Sequence, residues 1–399
     1  MPGFVFPNEG MIEWDLLIVI YPYITGLVAG AFIVSSLYHV FGITNLRPVA
    51  RFSLVTALAF LIVTPMPLVI HLGRPERGLE MFLTPNLNSA MSAFGYIWFF
   101  YLLIVLLEIW LVFRPDIVRY ARSTEGTLKT VYSILALGVY DVSEESLAID
   151  KKIVKVLSFI GIPAAVLLHG YVGFIFGAVK ANPWWSTPLM PIIFLMSATV
   201  SGIALLIVLY IVTTKIRKAT LDHRCLRSLS LWLTGFLSIN VVLEGLEVFS
   251  MLYESEESWE IISQLITQKI ALSYFGIQFL SGAILPLFVL GGIEIVKLGE
   301  REKMYLRFLA AVLVLIGVFA MRWNVVIGGQ LISKSLRGFT DFVPPIFGLN
   351  GILTAAALMA LPFLILSMIV YLIPPWLEET PKETPTRRFP LSRTTPTRG

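Results

Sequence analysis

Cysteine is almost absent from this sequence, whose 399 residues include only Cys225. One thiol cannot form a disulfide within the chain, and it cannot hold an iron–sulfur cluster, which needs about four ligands. The sequence also lacks an HExxH motif, a CxxCH motif and a glycine-rich phosphate-binding loop. These absences predict that the chain holds no iron–sulfur cluster and no metal site of its own.

Charged residues are also scarce, at 14% of the sequence, whereas an average soluble domain has about 25%. Hydrophobic residues make up 57%. The apolar runs are continuous over about 20 residues or more, whereas the strands of a membrane barrel alternate over about 10. We therefore expect an all-α integral membrane protein of the cell membrane, built as a polytopic helical bundle. The N-terminal segment MPGFVFPNEGMIEWD lacks the features of a cleavable signal peptide.

Nine segments are long and apolar enough to cross about 30 Å of hydrocarbon as helices. A tenth segment, 127–141, has an apolar part of only about 12 residues, which predicts an interfacial or loop helix. The predicted spans are 14–38, 50–70, 90–113, 153–178, 189–213, 228–253, 270–296, 305–327 and 351–373.

The loops between these spans differ in charge. With nine spans, most of the 30 Lys and Arg residues fall in the loops of one side and in the C-terminal tail. The positive-inside rule places that side in the cytoplasm, so the N-terminus is predicted outside and the C-terminus in the cytoplasm. The net charge of +4 is then a signal of topology and does not indicate nucleic-acid binding. The predicted organisation is a first helical bundle at 1–213, a second at 214–377 and a disordered cytoplasmic tail at 378–399.

Polar side chains within the spans cluster at one depth. On the predicted topology they lie in the outer half of the bilayer, where polar groups are costly and therefore candidates for function. A few hydrogen-bonding groups in an apolar cleft suit a ligand that is mostly apolar. A quinone fits, because its carbonyls need donors and its reduction needs protons. The clustered residues are Asp15, Tyr21, His71, His169, Tyr171, Glu244, Glu247 and Arg322.

Several of these side chains also have a structural interpretation. A buried histidine such as His169 can bond to a neighbouring helix. Arg322 is expected to pair with Glu244 or Glu247, because a guanidinium in hydrocarbon needs an anion nearby. Glu108, at the inner end of its span, is expected to snorkel towards water. The aromatic residues that suit a belt at the membrane interface are Tyr21, Tyr171, Trp184 and Trp185.

Three other functional classes remain open at this point. His71 and His169 lie at similar depths and could together ligate a haem b. Glu244, Glu247 and Arg322 could serve an ion-translocating subunit. The chain could also be a purely structural membrane anchor whose partners carry out the chemistry.

Three segments together resemble the NrfD-like family, which contains the membrane subunits of polysulfide reductase, of certain membrane-bound hydrogenases and of the Dsr-type complex. The resemblance is strongest over 15–210, and the sequence is most similar to the Dsr-type (DsrP/HmeB-like) menaquinol-interacting subunit. The segments are ITGLVAGAFIV, HLGRPERGLEMFLTPNLNSAMSAFGYIWF and HGYVGFIFGAVKANPWWSTPLMPIIFLMSATVSG.

The resemblance implies a membrane subunit that oxidises or reduces menaquinone and contains no haem or cluster of its own. It implies a partner of ferredoxin type, an iron–sulfur subunit on the extracytoplasmic face, and further membrane and catalytic subunits of a redox complex. For that partner, the predicted docking surface combines HLGRPERGLE with Lys180 and the Trp184–Trp185 pair.

The resemblance also places the site residues. The quinone-binding tyrosine of the family falls on Tyr171. The family's histidine on the first span falls on Tyr21, so His169 is expected to supply the imidazole. His169, Tyr171 and His71 are the catalytic candidates, and Tyr21, Gly73 and Arg74 complete the expected binding site with His169 and Tyr171. Protons are expected to leave through Asp15 and His71, or to move inward past Glu244, Asn240 and the polar face of the fifth span. That face carries Ser197, Thr199 and Ser201, and Glu247 and Arg322 are further candidates for a proton path.

Overall fold

The computed structural model describes residues 12–86, 88–253 and 258–376. Within these ranges, nine helices are long and apolar enough to cross a membrane, as the sequence predicts. We number them α1 to α9 in chain order. Their helical cores are α1 Leu16–His39, α2 Arg47–Val63, α3 Ala90–Ser123, α4 Glu144–Gly177, α5 Met190–Ile216, α6 His223–Tyr253, α7 Leu285–Ile295, α8 Glu300–Trp323 and α9 Ile352–Leu372.

Segment 127–141 does not add a span. The short helix Gly126–Leu135 covers its first part and lies outside the nine candidate spans. Trp110 Nε1 on α3 donates to the Leu135 carbonyl at 2.9 Å, and Tyr132 Oη donates to the Leu372 carbonyl at 2.8 Å. The short helix is therefore fixed against α3 and the end of α9.

Contacts between loops sort them onto two ends of the bundle. We call the end with loops 40–46, 124–143, 217–222 and 296–299 the basic end. There Arg51 pairs with Asp116, and Arg217 lies 4.0 Å above the ring centroid of Trp376. At the opposite end, Lys269 Nζ pairs with Asp341 at 2.7 Å. The sorting agrees with the predicted topology, whose cytoplasmic side is the basic end.

α1 lies at the centre of the bundle, and nearly all of its residues from Leu16 to Leu37 are buried. It packs on α2, α4 and α5. The approach to α5 requires glycine, because a Cβ on Gly30 would lie 2.7 Å from the Cα of Gly202. α5 also packs on α6 and α8, so it joins the two predicted bundles.

α9, the last span, packs on α2 in the first part of the chain. The rings of Phe60 and Phe363 meet there edge to face at 5.2 Å. The predicted disordered tail at 378–399 lies outside the described residues.

Two of the spans contain π-helical backbone. The π-helix Leu272–Ile284 runs into α7, and the π-helical turn Asn324–Gly328 follows α8. π-helical turns are rare and occur frequently at functional sites. They change the backbone hydrogen-bond register, so their carbonyls become available to side chains.

Glu108 does not snorkel to water, so that expectation is wrong. Its side chain on α3 is fully buried, and Oε1 accepts a hydrogen bond from Ser158 Oγ on α4 at 2.6 Å. The reason is the direction of the side chain, which points into the α3–α4 contact, where a hydroxyl solvates the carboxyl in place of water.

Candidate functional site

A buried histidine and a buried arginine meet between α4 and α8. His169 Nε2 lies 3.1 Å from Nη2 of Arg322, and neither residue has any exposed surface. The same Nη2 donates to Ser197 Oγ on α5 at 2.7 Å, and the guanidinium lies 4.0 Å from the ring centroid of Phe194. Three helices thus enclose one cation with a histidine, a hydroxyl and an aromatic face.

This contact determines which nitrogen of His169 carries hydrogen. A guanidinium only donates, so Nε2 of His169 is the acceptor and Nδ1 carries the proton in the neutral ring. Nδ1 has no hydrogen-bond partner among the described residues. The site therefore contains a buried donor that is free to bond to a ligand or to pass on its proton.

The predicted ion pair of Arg322 with Glu244 or Glu247 is wrong. Among the described residues, no carboxylate lies within ion-pair distance of Arg322. Glu244 on α6 instead accepts hydrogen bonds from Asn240 at 2.7 Å and from Gln278 at 2.9 Å. Two amides therefore solvate the carboxyl, while His169, Ser197 and aromatic contacts solvate the arginine.

Gln278 extends the polar network of Glu244 towards α8. Its Oε1 accepts from Asn324 Nδ2 at 2.8 Å, and Ser273 Oγ donates to Asn324 Oδ1 at 2.6 Å. Glu247 lies one turn beyond Glu244 on α6 and lines a pocket of about 290 Å³ at the end opposite the basic end. The network connects the π-helical segments of the seventh and eighth spans with α6.

Trp184 and Trp185 do not form an interfacial aromatic belt, contrary to the sequence expectation. Both are buried, and their indole N–H groups donate to the carbonyls of Asn324 at 3.0 Å and Val325 at 2.6 Å. Asn182 Nδ2 donates to the Gly329 carbonyl at 2.9 Å. The turn after α4 thus bonds the carbonyls of the π-helical turn after α8. For this reason the two tryptophans are removed from the predicted docking surface.

Asp15 and His71, predicted as a proton exit, meet at the end opposite the basic end. His71 Nδ1 lies 3.3 Å from Asp15 Oδ2, and Asp15 Oδ1 accepts the Leu17 backbone N–H at 2.8 Å as the N-cap of α1. The side chain of His71 is 24% exposed and that of Asp15 is 9% exposed. The pair therefore connects the buried start of α1 with solvent.

Tyr21 and Tyr171 differ in exposure. Tyr21 on α1 is buried edge to face against Phe94 at 5.0 Å, and its hydroxyl has no hydrogen-bond partner among the described residues. Tyr171 on α4 is half-buried and packs on Phe174. Tyr171 follows His169 by two residues, which on a helix places the two side chains on different faces.

The structure does not bring Gly73 and Arg74 to the buried histidine. Both are exposed in the loop after the short helix Met66–His71, where Gly73 has a φ of +69°. Lys180 is also exposed, in the turn after α4. Of the two histidines of the haem alternative, His71 bonds to Asp15 through Nδ1 and His169 to Arg322 through Nε2.

Sequence reasoning missed Gln278 and Asn324, which link Glu244 to the π-helical turn, and Gln330, which bonds to both backbone groups of Trp14. The sequence does contain a signal for them, namely amide side chains within apolar spans. Such side chains are costly unless they bond to one another. Ser197 was recognised only as part of a polar face on the fifth span.

The helices and the buried polar groups define a multi-pass integral membrane protein with a polar site between its spans. The family model described as "Polysulphide reductase, NrfD" matches residues 6–334. The chain belongs to this family, so the resemblance seen in the sequence is confirmed.

Relatives extend the similarity over most of the chain. A selenate reductase subunit of Mesobacillus selenatarsenatis is 31% identical over 379 residues, which is 91% of this chain and 86% of the relative. The Hdr-like menaquinol oxidoreductase integral membrane subunit of Archaeoglobus fulgidus is 22% identical over 383 residues, with the same two shares covered. Protein NrfD of Escherichia coli is 27% identical over 209 residues, or 51% of this chain and 61% of the relative.

Proposed function

We propose that this protein is the quinone-reactive membrane subunit of a reductase complex. Its substrate is menaquinone or menaquinol, and it exchanges electrons with an iron–sulfur subunit on the extracytoplasmic face. The names of its relatives support this proposal, since they include a selenate reductase subunit and a menaquinol oxidoreductase membrane subunit.

The observation that carries the proposal is a pair of buried donors on α1 and α4 that are free among the described residues. Nδ1 of His169 and the hydroxyl of Tyr21 are buried without a hydrogen-bond partner among the described residues. Buried polar groups in native proteins are nearly always bonded, so unpaired donors suit a site that bonds to a ligand. A quinone supplies two carbonyl acceptors and an apolar ring.

Tyr171 is the third proposed donor to the quinone. Its ring is half-buried on α4, and its hydroxyl forms no hydrogen bond with the described residues. An apolar quinone tail needs access from the bilayer, and Tyr171 is less buried than Tyr21, which is 3% exposed. We assign Tyr171 and Tyr21 as donors to the quinone carbonyls, and the free Nδ1–H of His169 as a further proton donor.

Oxidation of a quinol releases two protons for every two electrons. The Asp15–His71 pair offers an exit at the end opposite the basic end, since it connects a buried carboxylate with an exposed imidazole. Glu244 with Asn240 and Gln278 offers an inward route in the second part of the chain. The second route favours an ion-translocating role, which is the alternative function.

Electrons leave the quinone through another subunit. The single thiol, Cys225, is buried on α6 at the basic end, far in sequence and in the fold from the His169 site. The exposed cations Arg74, Arg77 and Lys180 at the opposite end form the revised docking surface for an acidic iron–sulfur partner.

The test is quinol-dependent electron transfer in the purified complex with Tyr171→Phe and Tyr21→Phe. Each change removes one hydroxyl and leaves the ring, so we expect turnover to fall about tenfold while the complex assembles. Tyr253→Phe is the matched control, because Tyr253 is 80% exposed at the last residue of α6, away from the proposed site.

A second measurement is organic extraction of quinone from the purified protein, followed by mass spectrometry. We expect menaquinone from the wild-type complex and less of it from Tyr171→Phe. Assembled Tyr171→Phe and Tyr21→Phe variants with the turnover of the control would refute the proposed site. An extract without any quinone would refute the proposed substrate.

A further inference from the structure

A pocket of about 480 Å³ opens at the basic end, distant from the His169 site. It lies between the end of α1, the start of α2 and the facing surfaces of α3 and α4. Its lining includes the apolar residues Leu111 and Val112 of α3 and Val154 of α4. Its rim is polar and includes Arg47, Arg51 and Lys151.

The charges at this rim do not cancel. Arg51 pairs with Asp116, and Asp150 accepts from Arg114 Nε at 2.8 Å, so those two acids are neutralised by the protein. Arg47 and Lys151 are exposed and form no ion pair with the described residues. Two uncompensated cations therefore face an apolar pocket.

Two buried donors at the pocket are also unpaired. Nε of Arg51 and Nε2 of His39 have no hydrogen-bond partner among the described residues, and both residues line the pocket. The guanidinium of Arg51 is held in place by Asp116 and by the ring of Phe113, whose centroid lies 4.1 Å from Cζ. A positioned donor beside free cations is suited to a phosphate oxygen.

We propose that this pocket binds the phosphate of an anionic phospholipid. Basic pockets between transmembrane helices recognise lipid head groups in this way. A lipid is favoured over a soluble phosphate because much of the lining is apolar. Next to the pocket, α4 exposes Ile153 and Val156, by 41% and 56%, where acyl chains pack along the helix.

The site is independent of the quinone reaction, and its test does not depend on turnover. The purified complex in detergent is titrated with dioctanoyl phosphatidylglycerol and examined by native mass spectrometry. The double variant Arg47→Gln, Lys151→Gln should lower the apparent affinity for this lipid by about tenfold or more, since each surface cation contributes substantially to anionic-lipid binding.

The matched control is Arg224→Gln, Lys297→Gln, which removes two exposed cations at the same end that lie outside the pocket and form no ion pair with the described residues. It should retain wild-type affinity. The charge-preserving variant Arg47→Lys, Lys151→Arg should also retain most of the binding.

Three results would overturn the proposal. The first is equal lipid affinity in the pocket variant and in the control. The second is equal affinity for dioctanoyl phosphatidylcholine, which carries no net charge. The third is displacement of the lipid by inorganic phosphate at equal concentration, which would identify a site for the free anion.

Discussion

Arg322 on α8 bonds to His169 on α4 through Nη2 and Nε2, 3.1 Å apart, across 153 positions of sequence. Both side chains are completely buried. A buried cation that bonds to a neutral imidazole and a serine, without a carboxylate among the described residues, makes the protonation of His169 depend on Arg322. His169 and its positioning residue Arg322 therefore form one unit.

We expect Arg322→Met to destabilise the protein by about 1–3 kcal/mol, the cost of a buried polar group left unbonded. The change leaves His169 Nε2 without its donor, whereas Ser197 Oγ still donates to the Phe194 carbonyl at 2.9 Å. Thermal unfolding of the purified complex in detergent measures the effect. Adding Glu244→Gln should not restore stability, because amides and not Arg322 bond to Glu244. Recovery in that double variant would contradict the observed contacts.

Gly30→Ala should separate α1 from α5. A methyl group there would lie 2.5 Å from the Ala198 carbonyl oxygen and 2.7 Å from the Gly202 Cα, and overpacking of this kind costs about 1–3 kcal/mol. The matched control is Gly245→Ala on α6, where a Cβ meets nothing within 4 Å. Detergent-extracted yield and unfolding temperature should fall for Gly30→Ala alone. Equal behaviour of the two variants would show that the α1–α5 contact tolerates a methyl group.

Trp185→Phe should weaken the link between the turn after α4 and the π-helical turn after α8. The phenyl ring preserves much of the stacking on Trp14 but leaves the Val325 carbonyl without its donor, at a cost of about 1–3 kcal/mol. Limited proteolysis and thermal unfolding report the change. Trp232→Phe is the control, because Trp232 stacks on Phe236 and forms no indole hydrogen bond with the described residues. A loss of the same size in Trp232→Phe would attribute the effect to ring size.

Asp15→Ala should lower the stability of the protein more than Asp15→Asn. Asp15→Ala removes the N-cap of α1 and the contact with His71, and loss of such a cap costs about 0.5–2 kcal/mol. Asp15→Asn retains a side-chain oxygen for the cap and should keep most of the stability, while quinol turnover falls if the carboxylate carries protons outward. Stability and turnover are measured on the same preparations. An asparagine variant as unstable as the alanine variant would refute the capping role.

Ser158→Ala should leave Glu108 without its hydrogen-bond donor in the α3–α4 contact. We expect a loss of about 1–3 kcal/mol, because the carboxyl is fully buried. The control is Ser238→Ala on α6, whose exposed hydroxyl donates to the Thr234 carbonyl of its own helix. Differential scanning fluorimetry separates the two variants. An unchanged midpoint for Ser158→Ala would mean that water or another group satisfies Glu108.

Much of the architecture could be predicted from the sequence. Continuous apolar runs determine the number of spans, since about 20 apolar residues reach across the hydrocarbon whatever surrounds them. The distribution of Lys and Arg sorted the loops onto the two ends that the contacts show. Segment 127–141 was excluded as a span because its apolar part is too short. The motifs around His71 and His169 identified the family.

The partners of the buried polar groups were less accessible to prediction. Sequence gives the depth of a residue along a span but, in a span that is apolar all round, not the direction in which its side chain points. Glu108 was therefore expected to reach water, and Trp184 and Trp185 were expected at the lipid interface. In each case the polar group instead forms a hydrogen bond with a neighbouring helix.

The sequence by itself determined the nine spans, the basic end and the depth at which His169 and Arg322 lie. Only the tertiary structure decided that these two residues bond to each other and that Glu244 bonds to Asn240 and Gln278. The physical reason is that hydropathy acts on each helix separately, whereas the choice of partner depends on how α4, α5, α6 and α8 rotate and pack against one another.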